Sequence, residues 1–189
     1  NGSCPTTFDD IVLTNTAPAP AANAGADQTL CNTSSFTLSG NASAPGTGLW
    51  TLISGPGAIT TPSSATSTVT GVTAGGAPTV LRWTITNGVC GSTFDEVTLI
   101  NNGTASVADA GVASIDQCNT STFVMSATVP AVGTGVWTVQ SGSATITNAT
   151  SATTTITGIA AGTSATLRWT VGNGSCPTTF DDIVLTNTA

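Results

Sequence analysis

The seventeen residues Asn1–Ala17 (NGSCPTTFDDIVLTNTA) return letter for letter as Asn173–Ala189. No single globular domain needs the same segment at both ends, so the chain reads as a window cut from a longer tandem array. Cys4, Cys90 and Cys176 are spaced 86 residues apart, each followed by a short polar link and then Thr-Phe-Asp-(Asp/Glu). The array period is therefore 86 residues, and other landmarks keep nearly the same step: Gly48-Leu49-Trp50-Thr51 answers Gly135-Val136-Trp137-Thr138, and Leu81-Arg82-Trp83-Thr84 answers Leu167-Arg168-Trp169-Thr170. The exact duplication returns only after 172 residues, which makes the genetic unit a pair of modules. On this reading 1–17 is the last hairpin of a preceding module, and 18–103 and 104–189 are two complete modules. Pro18–Ala22 reads as a short semi-rigid link, with Asn101–Thr104 playing that part between the complete modules.

Within a module the signal is β throughout. Short runs of Val, Ile, Thr and Trp alternate with polar residues and are punctuated by Gly, Pro, Asn and Ser. Strands are expected near 22–29, 35–40, 48–54, 57–60, 66–71, 79–87 and 93–101. About seven short antiparallel strands in 86 residues indicate an all-β, two-sheet sandwich. Alternation points Phe36 and Leu38, Trp50 and Leu52, Leu81, Trp83 and Ile85, and Val97 and Leu99 between the sheets. The matching set is Phe123 and Met125, Trp137 and Val139, Leu167, Trp169 and Val171, and Ile183 and Leu185. Trp50, Trp83, Trp137 and Trp169 supply much of two cores that would otherwise be marginal at this size.

Composition removes most chemistry. There is no His, Lys or Tyr, and Arg82 and Arg168 are the only cations in a chain of net charge −7. That excludes His-based acid/base catalysis, Schiff-base lysines and a basic nucleic-acid patch; no Ser has a base beside it. The chain is read as non-enzymatic and without a cofactor, and no apolar run approaches the roughly 20 residues needed to cross a bilayer. Asp27, Asp95, Asp109 and Asp181 are weak Ca²⁺ candidates, since such a site needs several converging carboxylates, and neighbouring residues on a strand point to opposite faces. The simpler expectation puts Glu96 and Asp182 beside Arg82 and Arg168 as cross-strand pairs. Thr-rich runs such as Ser64–Thr70 and Thr145–Thr157 offer a polar face for glycan, although Thr is also common filler on a solvent-facing strand.

The strings Ala22–Cys31 (ANAGADQTLC), Gly46–Thr51 (GTGLWT) and Leu81–Cys90 resemble the Ig-like/PKD-like tandem repeats of large Bacteroidota surface adhesins of the gliding-motility type. The resemblance covers both modules. It implies an Ig-like β-sandwich, secretion to the cell surface, and a fibrous or adhesive role, and it transfers no catalytic residue. The second module departs from the pattern at Val112–Asp116, with one extra residue before Cys118.

Five cysteines in so polar a chain argue for an oxidising, extracellular setting. Two pairings are open. Intramodule bonds would join Cys31 to Cys90 and Cys118 to Cys176. Against them, Cys31 lies before the second expected strand and Cys90 after the sixth, and in an Ig-like sandwich these run the same way. The two thiols then sit some ~40 Å apart, where a bond needs Cα atoms within about 7 Å. The alternative staples one module to the next, Cys31 to Cys176, with Cys4, Cys90 and Cys118 pairing to modules outside the window. The expected function is a structural repeat of an extended extracellular fibre, stalk or filament whose partners are neighbouring copies of the repeat. A glycan-binding adhesin module is the second reading.

Overall fold

A computed structural model describes residues 2, 7–120 and 122–189. Strands β1 (Gln28–Cys31), β2 (Ser35–Thr37), β3 (Thr47–Ser54), β4 (Ala58–Ile59), β5 (Thr68–Thr70), β6 (Thr79–Thr86) and β7 (Ser92–Asn102) form the first sandwich. The second contains β8 (Ser114–Cys118), β9 (Thr122–Ser126), β10 (Thr134–Ser141), β11 (Thr145–Ile146), β12 (Thr153–Thr157), β13 (Thr163–Gly172) and β14 (Thr179–Thr188). In each, a four-stranded sheet (β1-β7-β6-β3, or β8-β14-β13-β10) faces a three-stranded one (β2-β5-β4, or β9-β12-β11). All pairings are antiparallel except β1 with β7 and β8 with β14, which run parallel. In both cases the module's first strand lies alongside its last.

The period-2 pattern of β6 explains its place at the centre of its sheet. Thr79, Leu81, Trp83 and Ile85 are buried and the residues between them face outward. Trp50 pairs in register with Trp83, and Trp137 with Trp169. Their ring centroids lie 5.1 and 5.2 Å apart at tilted angles, within the favourable range for aromatic pairs. Trp50 and Trp137 donate their indole N–H to the carbonyls of Ala65 and Ala152. The Trp83 and Trp169 N–H groups are buried with no partner among the described residues. Gly48 and Gly135 lie directly against the second indole of each pair, where any Cβ would overlap the ring. These glycines are required by close approach and not by backbone angle.

Two expectations need correction. The first strand begins at Gln28, not near residue 22, because Gly25 turns the chain at φ 84°. Before that turn the segment lies along β7 on side-chain acceptors, with Ala22 N–H donating to Thr93 Oγ1 and Ala24 N–H to Asp95 Oδ2. Ala108 and Ala110 do the same toward Thr179 and Asp181. Leu52 and Val139, expected inside, are 43% and 36% exposed. Each sits on the edge strand where its register shifts, between Leu52 and Ser54 and between Val139 and Ser141, and such an irregularity bends a strand and re-aims its side chains. Phe36, Leu38, Leu81, Trp83, Ile85, Val97, Leu99 and their counterparts are buried as their alternation requires.

Residues 7–17 carry no strand although they match the whole of β14 in sequence. Ile11 and Leu13 are more than 80% exposed, whereas Ile183 and Leu185 are buried. The difference is the sheet beside them: β14 is held between β13 and β8.

Gly48→Ala and Gly135→Ala are each expected to destabilise their own module by about 2–3 kcal/mol, because the indole cannot retreat within a packed core. Urea denaturation followed by tryptophan fluorescence reads this directly, and an unchanged midpoint would remove the packing argument.

Candidate functional site

The place where chemistry-bearing residues converge is the junction between the two sandwiches. β1 ends at Cys31, in register with Asn102 at the end of β7. The chain then turns through Asn32 in the left-handed region (φ 43°), which asparagine tolerates better than most residues. Two contacts fix that corner to the end of β7. Asn32 N–H donates to the Asn102 carbonyl, and Thr33 N–H donates to the side-chain oxygen of buried Asn101. Asn101 Nδ2 in turn donates to the carbonyls of Thr33 and Val72. The same device recurs in the second module with Asn119 (φ 45°), Thr120 and buried Asn187. Sequence reasoning missed these two asparagines; their signal was an Asn at an inward position of the last strand.

From the other side comes the turn Asn173–Cys176, closed by Cys176 N–H donating to the Asn173 carbonyl. Asn173 Nδ2 donates to the Gly103 carbonyl at 2.8 Å, and Asn102 Nδ2 to Ser175 Oγ at 3.2 Å. Gly174 lies against the Asn102 amide with φ 56°, a left-handed conformation that favours glycine. Between these contacts Cys31 and Cys176 form a disulfide with Cα atoms 4.8 Å apart, inside the usual range. The Cys176 sulfur lies 3.1 Å from the Gly103 carbonyl oxygen, a packing contact, since a disulfide sulfur has no proton to donate. Also at the junction, Ala74, Gly76, Asn102, Val132 and Asn173 border a cleft of about 460 Å³.

The contacts around Cys176 are repeated around Cys90. Asn87 Nδ2 donates to the Ala17 carbonyl at 2.7 Å, and the Cys90 thiol to the Thr16 carbonyl at 3.0 Å. Ala17 stands one period before Gly103, so the N-terminal segment meets the first sandwich as the first sandwich meets the second. Cys90 and Cys118 are exposed free thiols, and Cys4 lies outside the described residues. Cys31 is in register with the last residue of β7 and Cys90 lies just before its first, about twelve residues or ~40 Å away.

The candidate Ca²⁺ carboxylates are not brought together. Asp95 and Asp181 accept backbone N–H groups as described above, and Asp27 accepts the Thr98 N–H. Asp109 accepts Gly111 N–H and the Thr128 hydroxyl, which hold its carboxyl below the ordinary range. Asp109 thereby takes the role of Asn23, which accepts Gly25 N–H, and is not the counterpart of Asp27. Among the described residues there is no group of three or more His, Cys, Asp or Glu that could hold a metal. Nor is any described helix long and apolar enough to cross a membrane.

On the outer face Arg82 pairs with Glu96 and lies 4.2 Å from the Phe94 ring centroid. Arg168 pairs with both oxygens of Asp182, at 2.7 and 2.8 Å, and lies over Phe180 at 3.7 Å. The hydrogen bonds from Arg168 hold Asp182 below the ordinary 3.8 and raise Arg168 itself. Both pairs are partly exposed, so solvent screens them and they contribute little to stability.

No protein-family model matches this chain, and no curated protein does. Solved structures do. Extracellular domains 3–5 of Drosophila OTK align at TM-score 0.61 and 14% identity over 93% of this chain and 62% of that one. Sidekick-1 immunoglobulin domains 1–4 align at 0.60 and 16% over 93% and 51%, and murine CEACAM1b at 0.60 and 9% over 83% and 94%. The chain thus spans about three fifths of the OTK fragment and half of the Sidekick-1 fragment. At these identities the likeness is one of fold: the chain is all-β, with two Ig-like sandwich domains of about seven strands each in tandem.

Non-reducing peptide mapping should recover Cys31 linked to Cys176; a Cys31–Cys90 peptide would overturn the geometry of the junction. Because the folded value of Asp182 is depressed, the stabilisation from its pair is complete above pH 3.8 and is lost as pH falls below it. Arg168→Met should therefore move the Asp182 carboxyl midpoint up toward 3.8 in an NMR titration, with little effect on stability at neutral pH.

Proposed function

We propose that this chain is a non-catalytic structural repeat of an extended extracellular fibre, stalk or filament on a bacterial surface. Its modules are 18–103 and 104–189, with 1–17 the closing hairpin of a further module and neighbouring copies of the repeat as the partners. The observation that carries this reading is the junction. A disulfide and two asparagine side-chain bonds fix one sandwich on the next. A binding module on a flexible tether has no use for such rigidity. The matching contacts of Asn87 and Cys90 with Thr16 and Ala17 support the same clamp at successive joints. In a longer array Cys4 and Cys90 would then pair backward and Cys118 forward.

Secretion fits the disulfide, which persists in oxidising compartments. The surface fits as well, since the outward residues are largely Thr, Ser, Asn and Gly and the chain carries net charge −7. Nothing in that charge attracts nucleic acid.

A second reading, a glycan-binding adhesin module, draws on the outer face of the β9-β12-β11 sheet. There Thr122, Thr157 and Thr145 stand side by side across three strands, and Thr155 and Thr147 hydroxyls are 3.0 Å apart. All four tryptophans are buried, so this face lacks the aromatic platform that sugar rings usually stack on.

Electron microscopy of a multi-module array purified without reductant is expected to show straight fibres with an axial repeat of about 40 Å per module, the length of an 11-residue strand and its turns. A glycan array probed with the same material should stay blank. Flexible beads without an axial repeat, together with retained glycan, would favour the adhesin reading instead.

A further inference from the structure

We infer that the Cys31–Cys176 bond makes this pair of modules mechanically inextensible by taking tension past the sandwiches through β1 and β14 alone. The inference deepens the fibre reading and rests on it for its use in the cell. The mechanical behaviour itself follows from the connectivity of this one chain.

The route of tension is set by covalent topology. Tension applied along the chain enters the first sandwich at Pro18 and follows β1 to Cys31. There it meets two routes in parallel: a single disulfide, or a loop of sequence separation 145 that returns to Cys176. The short bond carries all of the load and the loop carries none. Tension resumes at Cys176, follows β14 to Thr188 and leaves the second sandwich. The remaining strands of both modules, β2 to β13, lie inside the closed loop and ride on the two loaded strands.

The fold leaves this route almost no slack. β1 ends level with Asn102, the last residue of β7, and β14 ends level with Cys118. Each loaded strand therefore runs to the far end of its own sandwich. The loaded segments, 18–31 and 176–189, could reach together about 95 Å when fully extended, and two sandwiches end to end already occupy about 80 Å. Without the disulfide the same tension would unravel the whole looped span, worth about 500 Å of contour length.

The parallel pairings extend the scheme. In the proposed array a second route would enter at Cys90, follow β7 to Asn102, cross Gly103 and follow β8 to Cys118. β7 is the parallel neighbour of β1, and β8 of β14. Two adjacent covalent cables would then cross every module in the same direction, each alternating a peptide link with a disulfide from joint to joint. This accounts for a feature the fold alone does not explain: the cysteines follow the first strand and precede the last, the two strands that lie side by side.

The test is single-molecule force spectroscopy on the full chain with handles at both termini. After the initial stretch, the disulfide-bonded chain should lengthen by less than about 50 Å. Cys31→Ser/Cys176→Ser should show two unfolding steps that together release about 500 Å. Near-UV circular dichroism of the four tryptophans first establishes that the variant is folded. Steps of hundreds of ångströms from the disulfide-bonded chain overturn the inference whatever the variant does. A folded variant that also fails to lengthen overturns it too, since resistance would then lie in the sandwiches and not in the route. Neither result bears on whether the protein forms fibres, which microscopy decides separately.

Discussion

Each module is built on one contact, the tilted stack of two tryptophans from neighbouring strands pressed against a glycine. Trp50 and Trp83, or Trp137 and Trp169, are among the largest fully buried side chains. In a module of about 86 residues they replace the several medium-sized residues a larger core would use. The second indole lies over Gly48 or Gly135 on the adjacent strand, which fixes the β3–β6 and β10–β13 registers residue by residue. On the other flank of the same central strands, the β6–β7 and β13–β14 registers place Arg82 opposite Glu96 and Arg168 opposite Asp182 on the outer face. The indole N–H of Trp83 and of Trp169, each without a partner among the described residues, is a cost of about 1–3 kcal/mol.

The junction is held by contacts of a different kind. The modules are held there by direction-specific contacts: amide to carbonyl, amide to hydroxyl, and sulfur to sulfur. Each needs its partner held in place beforehand. The buried asparagines provide this by tying the turn after the first strand to the end of the last, so the cysteine leaves the sandwich at a set angle. A half-cystine on a loose loop would join two modules without orienting them.

This division of labour suits a thread more than a receptor. Cores, outer-face ion pairs and junction contacts all recur with the period, and Asp27, Asp95, Asp109 and Asp181 each accept a backbone N–H instead of converging on a ligand. Asp95 and Asp181 look like metal candidates on paper because they recur. They recur because each module must hold its incoming segment against its last strand, and a carboxylate there accepts an N–H that has no ladder partner.

Repetition, period-2 alternation and composition were enough to establish an all-β tandem architecture, the inward faces of the central strands, and the absence of His- or Lys-based chemistry. They were enough because these properties depend on which residue types occur and at what spacing. Alternation was misleading at Leu52 and Val139, where a register irregularity on an edge strand breaks the spacing, and near residue 22, where a glycine turn and side-chain acceptors replace a ladder. The sequence left two disulfide pairings open, because a bond depends on which ends of which strands meet in space and a linear spacing of cysteines does not contain that. Only the tertiary structure, with β1 parallel to β7 and one sandwich seated on the next, brought Cys31 within bonding distance of Cys176. That same arrangement decided which strands would carry a load.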